Sequence, residues 1–200
     1  MTPITDIETL ETHYSDPVPA SLTKVVQRMT PLYRQWINAS RFTVLPTVGP
    51  EGTDASPRGD DGAVVHIADD KTLWLPDWRG NNRIDCLRNI IRDNRVSLMF
   101  LVPGCNNVVR INGSAILTAD EPCRAHFARK DILPATVTVI TITEMYFQCA
   151  KAILRSKLWS GADDSDQVPS AGQFIKEQKS DFAAETYDSG YADYAKPRMW

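Results

Sequence analysis

The segment Thr72–Gly113 constrains the fold of this chain more than any other part of the sequence. A short apolar run at Leu73–Leu75 closes at Pro76, which is typical of the end of a strand. A polar loop follows, and from Ile84 the apolar residues recur at helical spacing. Val96–Val102 is a second apolar run of strand length. The segment therefore predicts strand, loop, helix, strand, turn and strand, in that order.

The predicted helix begins beside a capping pattern. Asn82 with Asp85 three residues later is typical of a capping pair, and the first turn of a helix offers free backbone N–H groups and partial positive charge to an anion. Cys86 falls off the apolar stripe. The positions expected to form that buried stripe are Ile84, Leu87, Ile90 and Ile91.

Basic and amide side chains flank this helix start. Arg79 and Arg83 stand on either side of Asn81 and Asn82, and guanidinium groups bind phosphate oxygens in a bidentate manner. We interpret the loop as a phosphate-binding loop. The alternative is a solvated helix start with two surface arginines.

Several motifs carry a resemblance to a known family. The run P-D-W-R-G-N-N-R-I-D-C-L-R-N-I-I-R-D-N-R-V-S-L-M-F-L-V-P-G and the following V-R-I-N-G-S-A resemble the pyridoxamine 5′-phosphate oxidase-like flavoproteins. R-F-T-V-L-P-T and A-S-P-R-G-D match upstream, and F-Q-C-A-K-A-I-L-R-S-K-L-W matches downstream. The matches keep the family's order between Arg41 and Trp159.

This resemblance implies the FMN-binding split barrel. The expected fold is mainly β with peripheral α-helices, has six or so antiparallel strands, and pairs as a homodimer with FMN at the interface. The expected division is an N-terminal helical arm (1–40), the split-barrel domain (41–159) and a C-terminal extension (160–200) that packs on the barrel or on the partner subunit.

The resemblance also implies cofactor contacts. Arg58 would be a further anion contact, although an exposed loop arginine is the alternative, and Ser56 would lie at the isoalloxazine edge. Arg110 would reach the ring or a substrate acid, or else pair with a surface carboxylate. The expected cofactor-binding residues are Ser56, Arg58, Pro76, Asp77, Arg79, Asn81, Asn82, Arg83, Arg110, Lys151, Arg155 and Trp159.

The segment Ala150–Trp159 carries the last of these contacts. If it is helical, Lys151 and Arg155 lie one turn apart on one face and Trp159 lies on another. Two such cations repel unless an anion lies between them, and in the family this segment approaches the cofactor, often from the partner subunit. The alternative is a basic turn of a surface helix.

Short strands with turns between them predict an antiparallel barrel. Strands are expected at Phe42–Val48, through Ala55 and Ser56 as far as Pro57, and at Ala63–Ile67. Thr136–Cys149 is apolar on both faces, so it is either buried on both sides or changes face at a bulge. Helices are expected from Ser21 or Thr23 to Met29, from Thr30-Pro31 onward, and after a Ser170–Gln173 capping pattern.

Composition excludes several classes of protein. The apolar fraction is 42% and the net charge −3, so affinity for nucleic acid or an anionic membrane is not expected. The acidic N-terminus is unlike a secretory signal, which predicts a cytoplasmic protein. The four cysteines form no C-x-x-C motif, and the three histidines are far apart in sequence, so no metal site is expected.

The function expected from the resemblance is that of an FMN-dependent oxidoreductase acting on an unidentified small molecule, with NAD(P)H as an electron donor. Flavin carries the electron chemistry, so no catalytic residue is assigned. The chain lacks the C-terminal Arg-x-His pair and the I-G-A-W-A-S-type segment of authentic pyridoxamine-phosphate oxidases, which argues against that strict activity. The alternatives are a non-catalytic flavin, deazaflavin or haem binding module, and a structural partner protein.

Overall fold

The computed structural model describes residues 1–200, and a seven-stranded antiparallel sheet lies at its centre. The spatial order of the strands is β2-β1-β5-β6-β7-β4-β3. The mainly β, antiparallel architecture expected from the sequence is therefore confirmed. The strands are β1 Phe42–Gly49, β2 Gly52–Gly59, β3 His66–Ile67, β4 Thr72–Asp77, β5 Arg95–Leu101, β6 Val108–Thr118 and β7 Thr136–Gln148.

Eight α-helices surround the sheet. They are α1 Ile7–Glu11, α2 Pro19–Thr23, α3 Pro31–Ala39, α4 Asp85–Arg92, α5 Glu121–Ala125, α6 Lys151–Ser156, α7 Ala171–Gln178 and α8 Ala184–Ala195. Two short 3₁₀ turns lie at Ser165–Gln167 and Lys196–Arg198. None of these helices combines the length and the apolar character that crossing a membrane requires.

The core is built from the inward faces of the strands. Leu45, Leu73, Phe100 and Ile111 are fully buried, and each belongs to a strand whose residues alternate between the core and the outside. The sheet curls so that its two ends approach each other. Arg58 on the edge strand β2 contacts Asp77 on β4, although β1, β5, β6 and β7 lie between these two strands in the sheet order.

A bulge lets β7 change its buried face, which confirms one of the two expectations for this strand. Ile140 and Ile142 are buried before the bulge and Met145 after it, and the pairing with β6 shifts so that Thr143 is the extra residue. A Cβ on Gly113 opposite would lie 2.1 Å from the Thr141 carbonyl oxygen. Glycine is therefore required where the two backbones meet.

Two strand predictions were wrong in their extent. β2 continues through Pro57 to Gly59, because β2 is an edge strand and a missing N–H group is tolerated there. The strand predicted over Ala63–Ile67 contains only His66 and Ile67.

The details predicted for α4 were also wrong. Ile84 is the N-cap residue, and no side chain caps the helix. Asn82 adopts a left-handed conformation with φ 61°, outside any capping geometry, and Asp85 binds Arg83 instead. Ile84 and Ile91 are exposed, whereas Cys86 is buried with Leu87, Asn89 and Ile90. The buried stripe is rotated because the helix packs on β1 through this different set of positions.

The N-terminal segment combines one wrong and one confirmed prediction. The helix expected to reach Met29 stops at Thr23, because Val26 forms a two-way backbone bridge with Met145 of β7. The second helix begins as expected, with the Thr30 side chain accepting a hydrogen bond from the Tyr33 amide.

The C-terminal segment forms a helical pair. The predicted Ser170–Gln173 capping box is present at the start of α7. Asp188 of α8 accepts hydrogen bonds from the Gly172 amide at 2.8 Å and from the Ser170 hydroxyl. Beyond α8, the Trp200 ring lies 4.6 Å from the Arg129 guanidinium carbon, so the end of this segment touches the barrel.

Candidate cofactor site

An ion pair between Arg58 and Asp77 closes the sheet, and we call this contact the seam. The two side chains are only 19% and 17% exposed, so each charge depends on the other for its stability. The Arg58 Nε is buried without a hydrogen-bond partner. Arg58 is therefore not an exposed loop arginine, and its guanidinium group keeps a donor that no protein atom satisfies.

Two more of the predicted residues lie beside the seam in the sequence. Ser56 is half-buried and precedes Arg58 by two residues on β2, so both side chains project from the same face of the strand. Pro76 is buried and precedes Asp77 on β4, where it pairs with Val137.

Residues 78–84, which we call the arginine loop, connect the seam to α4. Arg79, Asn81, Asn82 and Arg83 are all exposed there. The Arg83 amide donates to Asn81 Oδ1 at 2.9 Å, and the Arg83 Nε donates to Asp85 Oδ2 at 2.6 Å. Arg79 has no ion pair, so the loop presents one free cation and one shared cation to solvent.

The Arg83–Asp85 contact changes the charge at the N-terminus of α4. Hydrogen bonding to Arg83 lowers the pKa of the Asp85 carboxyl, and the same contact raises the pKa of Arg83. Asp85, which the sequence pattern placed in a capping pair, thus contacts one of the arginines predicted to bind phosphate. Because the Arg83 side chain is 81% exposed, this ion pair is weak and can be exchanged for another anion.

A cluster that the sequence analysis missed holds the start of the arginine loop. The Trp78 Nε1 donates to Asp60 Oδ2 at 3.0 Å, and Arg129 forms ion pairs with both Asp60 and Asp61. The Arg129 guanidinium carbon lies 5.7 Å from the Trp78 ring centroid. These residues come from distant parts of the chain, and no local motif could have joined them.

Cys86, in the first turn of α4, is a poor nucleophile. Its side chain is 2% exposed, and its Sγ lies 3.0 Å from Asp54 Oδ2. Burial, with a further contribution from the hydrogen bond to Asp54, raises the pKa of the Cys86 thiol to about 11. A thiol that stays protonated is unreactive.

The remaining predicted residues lie around the far end of β6 and β7. Arg110 packs over the Tyr146 ring at 5.6 Å and forms no ion pair, so the alternative of a surface carboxylate partner is not observed. Lys151 and Arg155 are both exposed on α6. The Trp159 Nε1 donates to the Cys105 carbonyl oxygen at 2.8 Å, which ties the end of this segment to the β5–β6 turn.

The predicted site residues therefore form two groups. Asp77 pairs with Thr136 at the start of β7, whereas Arg110 pairs with Tyr146, ten residues further along the same strand. Across the sheet, however, Arg58 pairs with Thr43, Thr43 with Phe100 and Phe100 with Val109, so Arg110 lies about three strand spacings, roughly 15 Å, from Arg58. Within one chain, no ion pair or side-chain hydrogen bond joins the two groups.

The first group fits the phosphate end of FMN. Arg58, Arg79 and Arg83 supply guanidinium groups, and the uncapped first turn of α4 supplies amide donors. The second group adds the cations of Arg110 and α6 and the Trp159 ring. Cations and amides suit a phosphate, and an aromatic ring suits a planar heterocycle.

The family model of pyridoxamine 5′-phosphate oxidase matches residues 29–149, which is more than half of the chain. The chain belongs to this family, and the resemblance and the split-barrel fold expected from its motifs are confirmed.

Solved structures of several bacterial proteins share part of the fold. HupZ from Group A Streptococcus is 17% identical, with a TM-score of 0.49 over 60% of this chain and 93% of that one. General Stress Protein 26 from Bacillus anthracis is 17% identical, with a TM-score of 0.40 over 57% and 88%. An FMN-binding protein from Syntrophomonas wolfei is 10% identical, with a TM-score of 0.44 over 71% and 96%. No curated protein sequence matches the chain.

Proposed function

We propose that this protein binds FMN and uses it as an oxidoreductase on a small molecule. The observation that carries the proposal is the position of the arginine loop, which connects the Arg58–Asp77 ion pair to the uncapped N-terminus of α4, in a chain of this family. Bound flavin would supply the electron-transfer chemistry. The residues of the chain bind and orient it.

Each residue of the first group has a distinct role in this proposal. Asp77 holds the Arg58 guanidinium in place, and the unsatisfied Arg58 Nε marks capacity for a further acceptor. Arg79 and Arg83 give charge-assisted hydrogen bonds to phosphate oxygens, since both side chains are long and exposed enough to reach an anion. For Arg83 this requires exchanging Asp85 for the phosphate.

We propose that the second group, which consists of Arg110 and the α6 segment, contacts the flavin bound by the partner subunit in a homodimer. Within one copy, no ion pair or side-chain hydrogen bond joins the two groups, and in this proposal a second copy brings Arg110, Lys151, Arg155 and Trp159 to the cofactor that the first group binds. The paired cations of α6 would then have the anion that their spacing calls for.

The substrate in this proposal is an unidentified small molecule, and NAD(P)H is the proposed electron donor.

Cofactor binding is tested with the purified protein and an Arg83→Ala variant. We expect the unmodified protein to show a flavin absorption spectrum. Arg83→Ala loses one charge-assisted hydrogen bond to the phosphate, and we expect its FMN binding to be about ten- to a hundredfold weaker. Arg92→Ala is the matched control, because Arg92 lies at the other end of α4 and pairs with Glu51. Equal affinity in all three proteins would remove the arginine loop from the site, and a Soret band in place of the flavin spectrum would assign haem.

The redox activity is tested separately on the FMN-loaded protein. Anaerobic addition of NAD(P)H should bleach the flavin, and admission of air or of an acceptor should restore it over many cycles. A flavin that NAD(P)H leaves oxidised, while dithionite reduces it, would place the protein among non-catalytic flavin carriers.

A further inference from the structure

A second pocket lies outside the candidate cofactor site. It has a volume of about 440 Å³ and sits between α3 and the β3–β4 edge of the sheet. Val65 and Ile67 form an apolar floor, and both are buried. The volume falls in the range of small-molecule sites.

Four polar side chains line this pocket without partners in the protein. Arg34, Asn38, His66 and His126 take part in none of the ion pairs or side-chain hydrogen bonds of the molecule. No acidic residue lines the pocket. Several donors therefore converge on one concave, apolar surface with no internal acceptor, which is the arrangement expected of a site for an anion with an apolar body.

Aromatic rings form one wall of the pocket. The His66 and His126 rings lie 3.8 Å apart between centroids at an angle of 48°. Trp74 lies 5.5 Å from His66, and Phe127 lies 5.0 Å from His126. These faces and edges suit a flat ring.

The charge in the pocket comes from Arg34. Burial, together with the nearby His126, lowers the pKa of His66, so this ring is mainly neutral near pH 7. Arg34 supplies a guanidinium group that can bind a carboxylate in a bidentate manner. The two imidazoles supply ring faces and hydrogen-bonding groups.

A metal ion fits this arrangement less well. The two histidine rings are in tilted contact with each other, and no third Cys, His, Asp or Glu side chain joins them in a group that could hold a metal. Two imidazoles alone fall short of the three or four ligands that protein metal sites use.

We propose that this pocket binds a small aromatic carboxylate. The carboxylate would pair with Arg34, with Asn38 as a second donor, and the ring would stack against the His66–His126 wall over the apolar floor. The pocket is distinct from the seam. Trp74 and His66 are cross-strand partners on the outer face of the sheet, while Asp77, an odd number of residues along β4, projects to the opposite face.

Benzoate is the test probe, and its binding is measured by calorimetry or by saturation-transfer NMR on the full chain. We expect millimolar or tighter binding by the unmodified protein and at least tenfold weaker binding by Arg34→Gln. Arg41→Gln is the matched control, since Arg41 is also exposed and unpaired but lies outside the pocket. His126→Leu should also weaken benzoate, because it removes one ring of the wall.

Benzamide separates the contribution of charge from that of the ring. It should bind the unmodified protein more weakly than benzoate does, and Arg34→Gln should not weaken it further. Absence of benzoate binding to the unmodified protein, or equal affinity in Arg34→Gln and Arg41→Gln, would overturn the proposal.

The same titrations with and without FMN keep this inference separate from the proposed function. Benzoate affinity should be unchanged by FMN, and the FMN affinity of Arg34→Gln should equal that of the unmodified protein. Competition between benzoate and FMN would place benzoate in the cofactor site and overturn the second pocket.

Discussion

Two arginine–aspartate pairs stand close together in this protein and differ mainly in their exposure to water. Arg58 and Asp77 meet at the seam with less than a fifth of either side chain exposed. Arg83 and Asp85 meet in the arginine loop, where the Arg83 side chain is 81% exposed. The chemistry of the two contacts is the same, and the environment makes one of them structural and leaves the other available to a ligand.

The physical reason lies in desolvation. A buried charge that loses its partner cannot recover its hydration, so Arg58 does not release Asp77 at low cost. An exposed pair contributes little to stability because water screens it, so a doubly charged phosphate can displace Asp85 from Arg83. Because Asp77 directly precedes the arginine loop, the seam holds this loop in position. The arginine loop then binds the phosphate.

The largest effect should come from breaking the buried pair. Arg58→Ala leaves Asp77 as an uncompensated, mostly buried carboxylate, and we expect it to lower the free energy of unfolding by about 3 kcal/mol. Arg83→Ala should lower it far less, because the Arg83–Asp85 pair is screened by water. Urea denaturation without flavin at neutral pH measures both.

These two variants test directly whether the buried and the exposed ion pair differ in their contribution to stability. Equal losses of stability in Arg58→Ala and Arg83→Ala would mean that exposure does not separate the roles of the two pairs. Restoration of stability by Arg58→Ala combined with Asp77→Ala would show that the penalty comes from the unpaired carboxylate.

Subunit mixing gives the next largest effect. Arg83→Ala impairs the first group, and a Lys151→Ala/Arg155→Ala double variant impairs the second, so each homodimer should bind FMN about ten- to a hundredfold more weakly. In a mixed dimer, one of the two composite sites carries all the substitutions and the other carries none. Fluorescence titration should then recover one tight site per mixed dimer.

The mixing experiment has a clear contrary result. If both groups served a cofactor within one chain, mixing would create no intact site, and the titration would show only weak binding. Size-exclusion chromatography with light scattering confirms that exchange between dimers has taken place.

A smaller effect is expected at Arg129. Arg129→Gln removes the cation that joins Asp60 and Asp61 to the Trp78 ring, and its partial exposure limits the loss of stability to about 1–2 kcal/mol. Because Trp78 opens the arginine loop, FMN binding should weaken modestly as well. Arg92→Gln, at the far end of α4, is the control and should leave FMN binding unchanged.

The smallest effect concerns the free energy of unfolding at alkaline pH. The Cys86 thiol has its pKa raised to about 11 in the folded protein, above its ordinary value, so the unfolded chain releases this proton first. Its contribution is complete below about pH 9 and is lost as the pH rises toward 11, which amounts to roughly 1 kcal/mol at pH 10. Urea denaturation from pH 8 to 11 should show a shallower decline in Cys86→Ser, and an identical decline would contradict the assignment.

Much of the fold could be predicted from local patterns. The alternation in β6 and the long apolar run of β7 predicted both strands, and the change of buried face in β7 was one of two stated alternatives. Turn and capping residues such as Thr30 and Ser170 marked two helix starts correctly. The predictions failed where a tertiary contact prevailed over a local preference, as when Val26 bridged to Met145 instead of continuing a helix.

The candidate site was predictable in its residues but not in its grouping. The motifs pointed to Arg58 and to the arginine loop, yet they did not show that Arg58 pairs with Asp77 or that Asp85 pairs with Arg83. They also left His66 and His126 apart, although the centroids of these two rings lie 3.8 Å from each other. Sequence spacing carries no information about side chains that meet only when distant strands come into register.

The amino-acid sequence by itself determined the family, the strands and the identity of the charged residues, because periodicity, turn residues and motifs are local properties of the chain. Tertiary structure alone decided which charges are buried, which side chains keep free donors, and which of the predicted contacts meet within one chain. Those outcomes depend on how an antiparallel sheet curls and where its edges meet, since burial sets the strength of an ion pair and register sets its partner.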